Sequence, residues 1–497
     1  MSFVSLTFIL FLLAVIVLYF LFPKKYRFIV LLAANAFFYI YSCKQMTLFL
    51  LFSIISVYAS GLFVEKEKSK KKRKAILLLA IVLNVGVLLF FKDYNLFAKS
   101  INELFGGSFT IVNLVAPIGI SYYTLVAISY LIDIYYKRTK AIKKLSKLML
   151  SMTFFPLMIE GPIVKVGEVA DSLYEGCDFN YKNLKYGYLR ILFGFLKKLV
   201  IADRAALLVD RVFDGGYSGG LVIVAMVLYA VQIYMEFSGC MDIVLGIGRI
   251  FGVKIPENFK QPFFSKDISE FWRRWHVTLG RWLKDYVFFP LAMSKRNLKI
   301  NIVSHKKMPR FLADAMTSFI PLFGVWSIMG IWHGFGIKYF VYGMYYYVLI
   351  LAGMLLKPVF DWFIIKTKTK TNCFSFRAFQ VLRTCSLVII GLTLFRSESL
   401  SNFCEIISSI IHFNQYSTTS IASIMGGLHN LVVLLVASLA VFAFDLAKYK
   451  DIDAEDWLER QNFPFRYIVF LGALFVVLIF GMYGYGYDPS SFIYEGF

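Results

Sequence analysis

The sequence predicts an all-α, polytopic membrane protein with about 11–13 transmembrane or re-entrant helices and one amphipathic helix on the cytoplasmic side. Three observations carry that prediction. Of the 497 residues, 59% are hydrophobic and the mean hydropathy is +0.67, far above the balance of a soluble domain. The apolar residues come in long runs rather than at amphipathic spacing. The net charge of +22 comes from Lys and Arg gathered in short clusters between those runs. That is the positive-inside pattern of a membrane protein, not a nucleic-acid surface.

Taken in order, the candidate spans cover 3–22, 28–42, 46–64, 75–91, 112–136, 148–164, 188–202, 221–237, 311–332, 337–356, 379–395, 426–446 and 467–484. Several fall short of the roughly 20 residues that a full crossing needs, and are expected to be tilted, broken or re-entrant. The first 22 residues lack a basic n-region and a cleavage site, so they read as a retained span. Basic clusters give orientation. The 65–74 stretch carries seven Lys/Arg and should be cytoplasmic. Lys24, Lys25 and Arg27, two spans earlier, and Lys137, Arg138, Lys143 and Lys144, two spans later, fall on the same side. The N-terminus is therefore expected outside. Parity blurs between 148 and 237 and resumes at a basic loop, 295–310. The 311–332 span then delivers His333 beyond the midplane on the external side, just past a helix end. The segment 337–356 returns to a basic stretch at 357–370, Lys448 and Lys450 agree, and the tail 485–497 is expected outside. No repeat at a fixed period is visible. The six cysteines show no CxxC spacing and read as small apolar fillers, with neither a disulfide framework nor a zinc site.

The run 266–289 carries too many charges for hydrocarbon and reads as an amphipathic helix. Asp267 and Glu270 form a capping-box start, and Pro290 closes it. Trp272, His276, Leu279 and Leu283 recur at three or four residues and so share a face, with Arg274, Arg281 and Lys284 pointing elsewhere. A histidine on that apolar side needs a partner or a task. Gly330, Gly334 and Gly336 around His333 permit a tight turn and close backbone approach. Histidine titrates near neutrality and suits a general base that removes a hydroxyl proton during acyl transfer, whereas the bland reading is a helix-end histidine bonded to a carbonyl. For His276 two readings stand side by side: support of the reacting groups, or a satisfied core histidine. No HxxxH spacing or carboxylate pair points to a metal. Arg273, Arg274, Arg281 and Lys284 could meet donor phosphates, but each singly fits headgroup snorkelling better. Asp285 is available to pair with one of them. Glu160, Glu236 and Asp242 lie close to apolar runs and need partners; a structural role suits each singly, and lining a path to His333 is the other reading. The glycines at 246–252 follow no strand and are no dinucleotide fingerprint, and neither a GxSxG elbow nor a P-loop is present. His305, in the basic loop, and His412 and His429, at the periphery, belong to no constellation.

FWRRWH at 271–276, followed by GIWHG at 330–334, resembles the paired signatures of the membrane-bound O-acyltransferase (MBOAT) family, in its bacterial alginate-acetylation branch. Further stretches share the resemblance: 116–124, 129–133, 154–162, Lys197-Lys198 with Ala202-Asp203, 232–239, Asp242 and 256–259. It runs at motif level from about 116 to 332. One departure is 291–296, LAMSKR, where the branch usually has a Gly-rich turn, and this leaves the acceptor open rather than the fold. The resemblance implies the MBOAT fold as a single domain over 1–497, with a core at 110–360 and flanking helices at 1–109 and 361–497, in a bacterial cytoplasmic membrane. It implies an O-acyltransferase that takes an acyl group, acetyl first, from a cytoplasmic thioester, either acetyl-CoA or an acyl-carrier phosphopantetheine, with no bound cofactor and no metal. The acceptor would be an extracytoplasmic polysaccharide hydroxyl, or an SGNH-type extracytoplasmic acetyltransferase partner. His333 and His276 are the implied catalytic residues, with Trp272, Arg273, Arg274, Asp285 and Trp332 binding the donor or supporting the site. Membrane lipid is an expected partner and nucleic acid is not. Two alternatives are D-alanyl transfer to teichoic acid from a carrier protein, and a transporter or flippase of a lipid-linked intermediate.

Overall fold

A computed structural model describes residues 1–105, 116–334, 336–411 and 418–484. Among them the chain is helical, and eight helices are long and apolar enough to cross a membrane: Lys24–Lys66, Lys70–Lys92, Gly220–Ile250, Arg310–His333, Ile337–Leu355, Phe374–Arg396, Leu428–Tyr449 and Phe463–Phe480. Two shorter apolar helices, Leu6–Leu21 and Ile120–Tyr135, add to these. The expected all-α polytopic fold is what the chain adopts. The first of the eight bends at Lys44, whose φ of 45° separates Arg27–Cys43 from Thr47–Lys66, as the two predicted spans require. The predicted tail 485–497, His412 and the start of the 112–136 span lie outside the described residues.

The chain divides into two compact units, each built from separated segments. The first holds Met1–Val200, Met235–Glu257 and the residues from Glu455 onward. Here 148–164 departs from expectation, because it forms no span. Helices of nine and four residues, Leu145–Thr153 and Phe155–Met158, are far too short to cross a bilayer. They lie in the unit's core, with Leu148, Met152, Phe154, Phe155 and Met158 fully buried. The break between them is held by buried Asn35. Its amide donates to Thr153 Oγ1 (3.2 Å) and its oxygen accepts the Phe155 N–H (3.0 Å), so the interruption leaves that donor satisfied.

In the same unit, Tyr181–Phe195 crosses the second half of Gly220–Ile250 with the two backbones in contact. A Cβ added at Gly194 would stand 2.5 Å from the Gly239 carbonyl, and one at Gly246 would stand 2.5 Å from the Gly187 carbonyl. The heptad spacing of both glycine pairs keeps one seam in register. That seam brings buried charges together. Asp242 accepts from Lys197 Nζ (2.8 Å) and Arg190 Nε (2.8 Å), Arg190 forks onto Glu257, and Lys198 Nζ reaches Glu236 at 2.9 Å. Glu236 and Asp242 thus have the partners that burial demands.

The second unit comprises Ile201–Tyr234 and Asn258–Ala454. Its centre is the antiparallel pair Arg310–His333 and Ile337–Leu355. Gly330 and Gly343 let the two pack backbone to backbone: a Cβ at Gly343 would lie 2.2 Å from the Trp326 carbonyl, and one at Gly330 would lie 2.3 Å from that of Tyr339. Pro321, inside Arg310–His333, has no N–H for the carbonyl of Thr317. That carbonyl accepts from Asn297 Nδ2 instead, at 3.1 Å. Asn297 belongs to Lys295–Lys307, which corrects the predicted basic loop to a helix started by Ser294, whose hydroxyl accepts the Asn297 N–H. His305 therefore sits on a helix, 3.1 Å from Asp314.

Candidate active site

The amphipathic run starts as its residues predict. Asp267 accepts the Glu270 N–H at 2.7 Å, and Glu270 reaches back past the cap to the Lys266 N–H at 2.9 Å. The single helix expected over 266–289 is nevertheless broken. It runs as Ile268–Arg274, breaks at Trp275 and His276, resumes at Val277–Leu283, and widens to a π turn over Lys284–Phe288. Pro290 does not close the run, which continues to Ala292. The reason for the break is tertiary. The loop 258–260 supplies backbone partners that replace helical ones, with Lys260 N bonded to Arg274 O and Val277 N bonded to Asn258 O, both at 2.9 Å. His276 takes a left-handed conformation, φ 48°, ψ 51°, to make the turn. Helical periodicity therefore does not carry from Trp272 through to Leu283.

The turn swings His276 into the interior, where only 6% of it is exposed. Asn258, fully buried, organises what it meets there. Its Oδ1 accepts Thr278 N (3.1 Å) and Thr278 Oγ1 (2.9 Å) and lies 3.1 Å from His276 Nδ1. An oxygen already accepting twice assigns the donor role to Nδ1–H, which leaves the lone pair on Nε2. Burial holds the imidazole well below its usual range, at about 3, so it is neutral at physiological pH.

His333 is the last residue of Arg310–His333 and is 5% exposed. Its ring stands edge-on to Phe395 (centroids 5.0 Å) and Tyr342 (6.0 Å), and it touches Trp332 at 4.8 Å. Trp332 also meets the His276 ring, with centroids 6.1 Å apart. The two histidines, 57 residues apart in the chain, thus both neighbour one indole. A second aromatic path leads from Trp272 of the first signature to His333. Trp272 packs on Tyr346 (4.8 Å) and Trp326 (5.1 Å), and Tyr346 meets Tyr342 (5.2 Å) beside His333.

The remaining sequence candidates are spread more widely. Arg274 bonds Glu270 at 2.7 Å and lies over the Tyr449 ring. Arg273 is exposed, and Asp285 is half-buried in the π turn. Sequence reasoning missed Asn258, Tyr342, Tyr346 and Phe395. Asn258 had a signal, since it stands in the PENF stretch at 256–259; the aromatic residues look like any span lining. Among the described residues no group of three His, Cys, Asp or Glu side chains could hold a metal ion.

Comparison with known proteins places this geometry in context. Residues 149–305 match the model of the membrane-bound O-acyltransferase family. The chain is 30% identical to a protein named probable alginate O-acetylase AlgI from Pseudomonas syringae pv. tomato, over 86% of this chain and 78% of that one. It is 27% identical to the peptidoglycan O-acetyltransferase of Helicobacter pylori, over 80% and 75% of the two chains. The teichoic acid D-alanyltransferase of Bacillus subtilis matches at 30% identity over 48% of this chain and 59% of its own.

Proposed function

The chain belongs to the membrane-bound O-acyltransferase family, and from that premise we propose that it moves an acetyl group from a cytoplasmic thioester to a hydroxyl on an extracytoplasmic glycan, with His333 as general base. That it is an O-acyltransferase of a multi-pass membrane type follows from the family and the apolar helices. The donor, the base and the immediate acceptor are our reading. In it, the acceptor oxygen attacks the thioester carbonyl while His333 takes its proton. The new C–O bond forms, the C–S bond breaks, and the proton passes to the departing thiolate. The aromatic rings around His333 hold the imidazole in one orientation. Trp332 carries that support to His276, whose ring is itself fixed by Asn258. In this reading His276 is a positioning residue, and Trp272 belongs to the same aromatic support. Arg273 and Asp285 remain candidates for contact with the donor's polar part, whereas Arg274 is engaged with Glu270. The other immediate acceptor we propose is an SGNH-type extracytoplasmic transferase, which would finish delivery to the polymer.

The observation that carries the proposal is the burial of His333 at the end of its helix, inside the GIWHG stretch that resembles a family signature and within one indole of His276. The test is transfer of labelled acetyl from acetyl-CoA in vesicles reconstituted with the protein. His333→Ala is expected to lower the rate by about 10²–10⁴-fold while the protein remains monodisperse. Full activity of that variant would remove His333 from the mechanism. The match to a teichoic acid D-alanyltransferase supports a second reading in which D-alanine is carried from an acyl-carrier phosphopantetheine. Offering both donors to the same vesicles separates the two.

A further inference from the structure

Within the first unit, Tyr181–Phe195 and Phe463–Phe480 enclose a groove of about 420 Å³. Its cations are Lys185 and Arg466, and among the described residues no carboxylate lines it. Both cations also reach Glu459, outside the lining, which accepts from Lys185, Tyr186 and Arg466 at once. Two positive groups on one carboxylate leave a surplus of +1. These hydrogen bonds hold the Glu459 carboxyl down to about 2, so the surplus is constant across physiological pH. Leu184, Phe463 and Phe470 make the rest of the wall apolar, and Tyr181, Tyr188 and Tyr467 edge it with hydroxyls.

The position of the groove selects its occupant. Phe463–Phe480 is apolar enough to span a membrane, and only 6% of the residues in its span are buried among the described residues, which suits a helix lying against lipid. Phe463, Arg466, Tyr467 and Phe470 all belong to its first two turns, the level at which tyrosines and basic side chains meet headgroups. A soluble anion would satisfy the cations but not the apolar wall beneath them. We infer that this groove is a binding site for an anionic phospholipid, its phosphate on Lys185 and Arg466 and an acyl chain along Leu184 and Phe470.

The test is native mass spectrometry of the full-length protein in detergent, titrated with phosphatidylglycerol or phosphatidylcholine of matched chains. Phosphatidylglycerol is expected to be retained preferentially. The double variant K185Q/R466Q should weaken it by about thirtyfold, from roughly a fivefold contribution per cation. Because that variant also disturbs the Glu459 cluster, Leu184→Trp provides a charge-neutral check. It fills the groove, leaves both cations in place, and should also release the lipid. Glu459→Gln removes the opposing charge and should tighten binding. Equal retention of the two lipids, unchanged phosphatidylglycerol binding in Leu184→Trp, or equally effective competition by inorganic phosphate would each overturn the assignment.

Discussion

At the residue scale, His276 and Asn258 form the most constrained pair in the candidate site. The His276 imidazole has an ordinary pKa of 6.5, which burial lowers to about 3 in the fold. The unfolded chain therefore binds a proton that the native state refuses. The stability contributed by neutral His276 is complete above pH 6.5 and is lost progressively as pH falls toward about 3. Thermal unfolding in detergent should show this decline, and His276→Asn should flatten it. Asn258→Ala strips the acceptor from three buried donors and should destabilise by about 1–3 kcal/mol for each group left unsatisfied. The two histidines differed in how far the sequence revealed them. His333 was legible because an ionisable residue at the end of an apolar run, inside GIWHG, has few reasons to be there. His276 was legible as a buried histidine, but its partner was not: Asn258 lies 18 residues away in a loop whose path only the tertiary structure sets.

Among the elements, apolar runs announced the long helices because a span has to hide its backbone and its side chains together. The break at His276 left no such trace, since residues 258–260 outbid the helix for its hydrogen bonds. Lys295–Lys307 was hidden by its charges, although Ser294 at its start was a usable cap signal. Two predictions belong at this scale. Gly343→Val would force a side chain into the Trp326 carbonyl and push apart the helices that carry His333 and Tyr342. Loss of thermal stability of about 1–3 kcal/mol is expected, together with loss of acyl transfer. Gly353→Ala, on the same helix with open space around it, should leave both unchanged. Lys198 and Glu236 test the buried charges. Lys198→Ala removes the ammonium that the buried Glu236 carboxylate accepts from and should cost about 3–5 kcal/mol, whereas Lys198→Met combined with Glu236→Gln should recover most of it.

For the whole molecule, composition was enough to name the class, and the alternation of basic clusters gives an orientation that can be checked. With the six native cysteines replaced, Gln45→Cys, in the exposed turn between the second and third predicted spans, should react with a membrane-impermeant maleimide on intact cells, and Ser69→Cys only after permeabilisation. The division into two units was not legible, because each is assembled from separated segments and local patterns say nothing of such returns. The buried pairs of the first unit also bear on how the chain is made. Gly220–Ile250 has to enter the bilayer while carrying Glu236 and Asp242, an unfavourable passenger load for the translocon. Their lysines leave the ribosome first, 38 residues ahead of Glu236 and 45 ahead of Asp242. The counter-charges are thus already synthesised when the acidic helix arrives, and moving Lys197 and Lys198 downstream of it should stall membrane insertion before folding is ever tested.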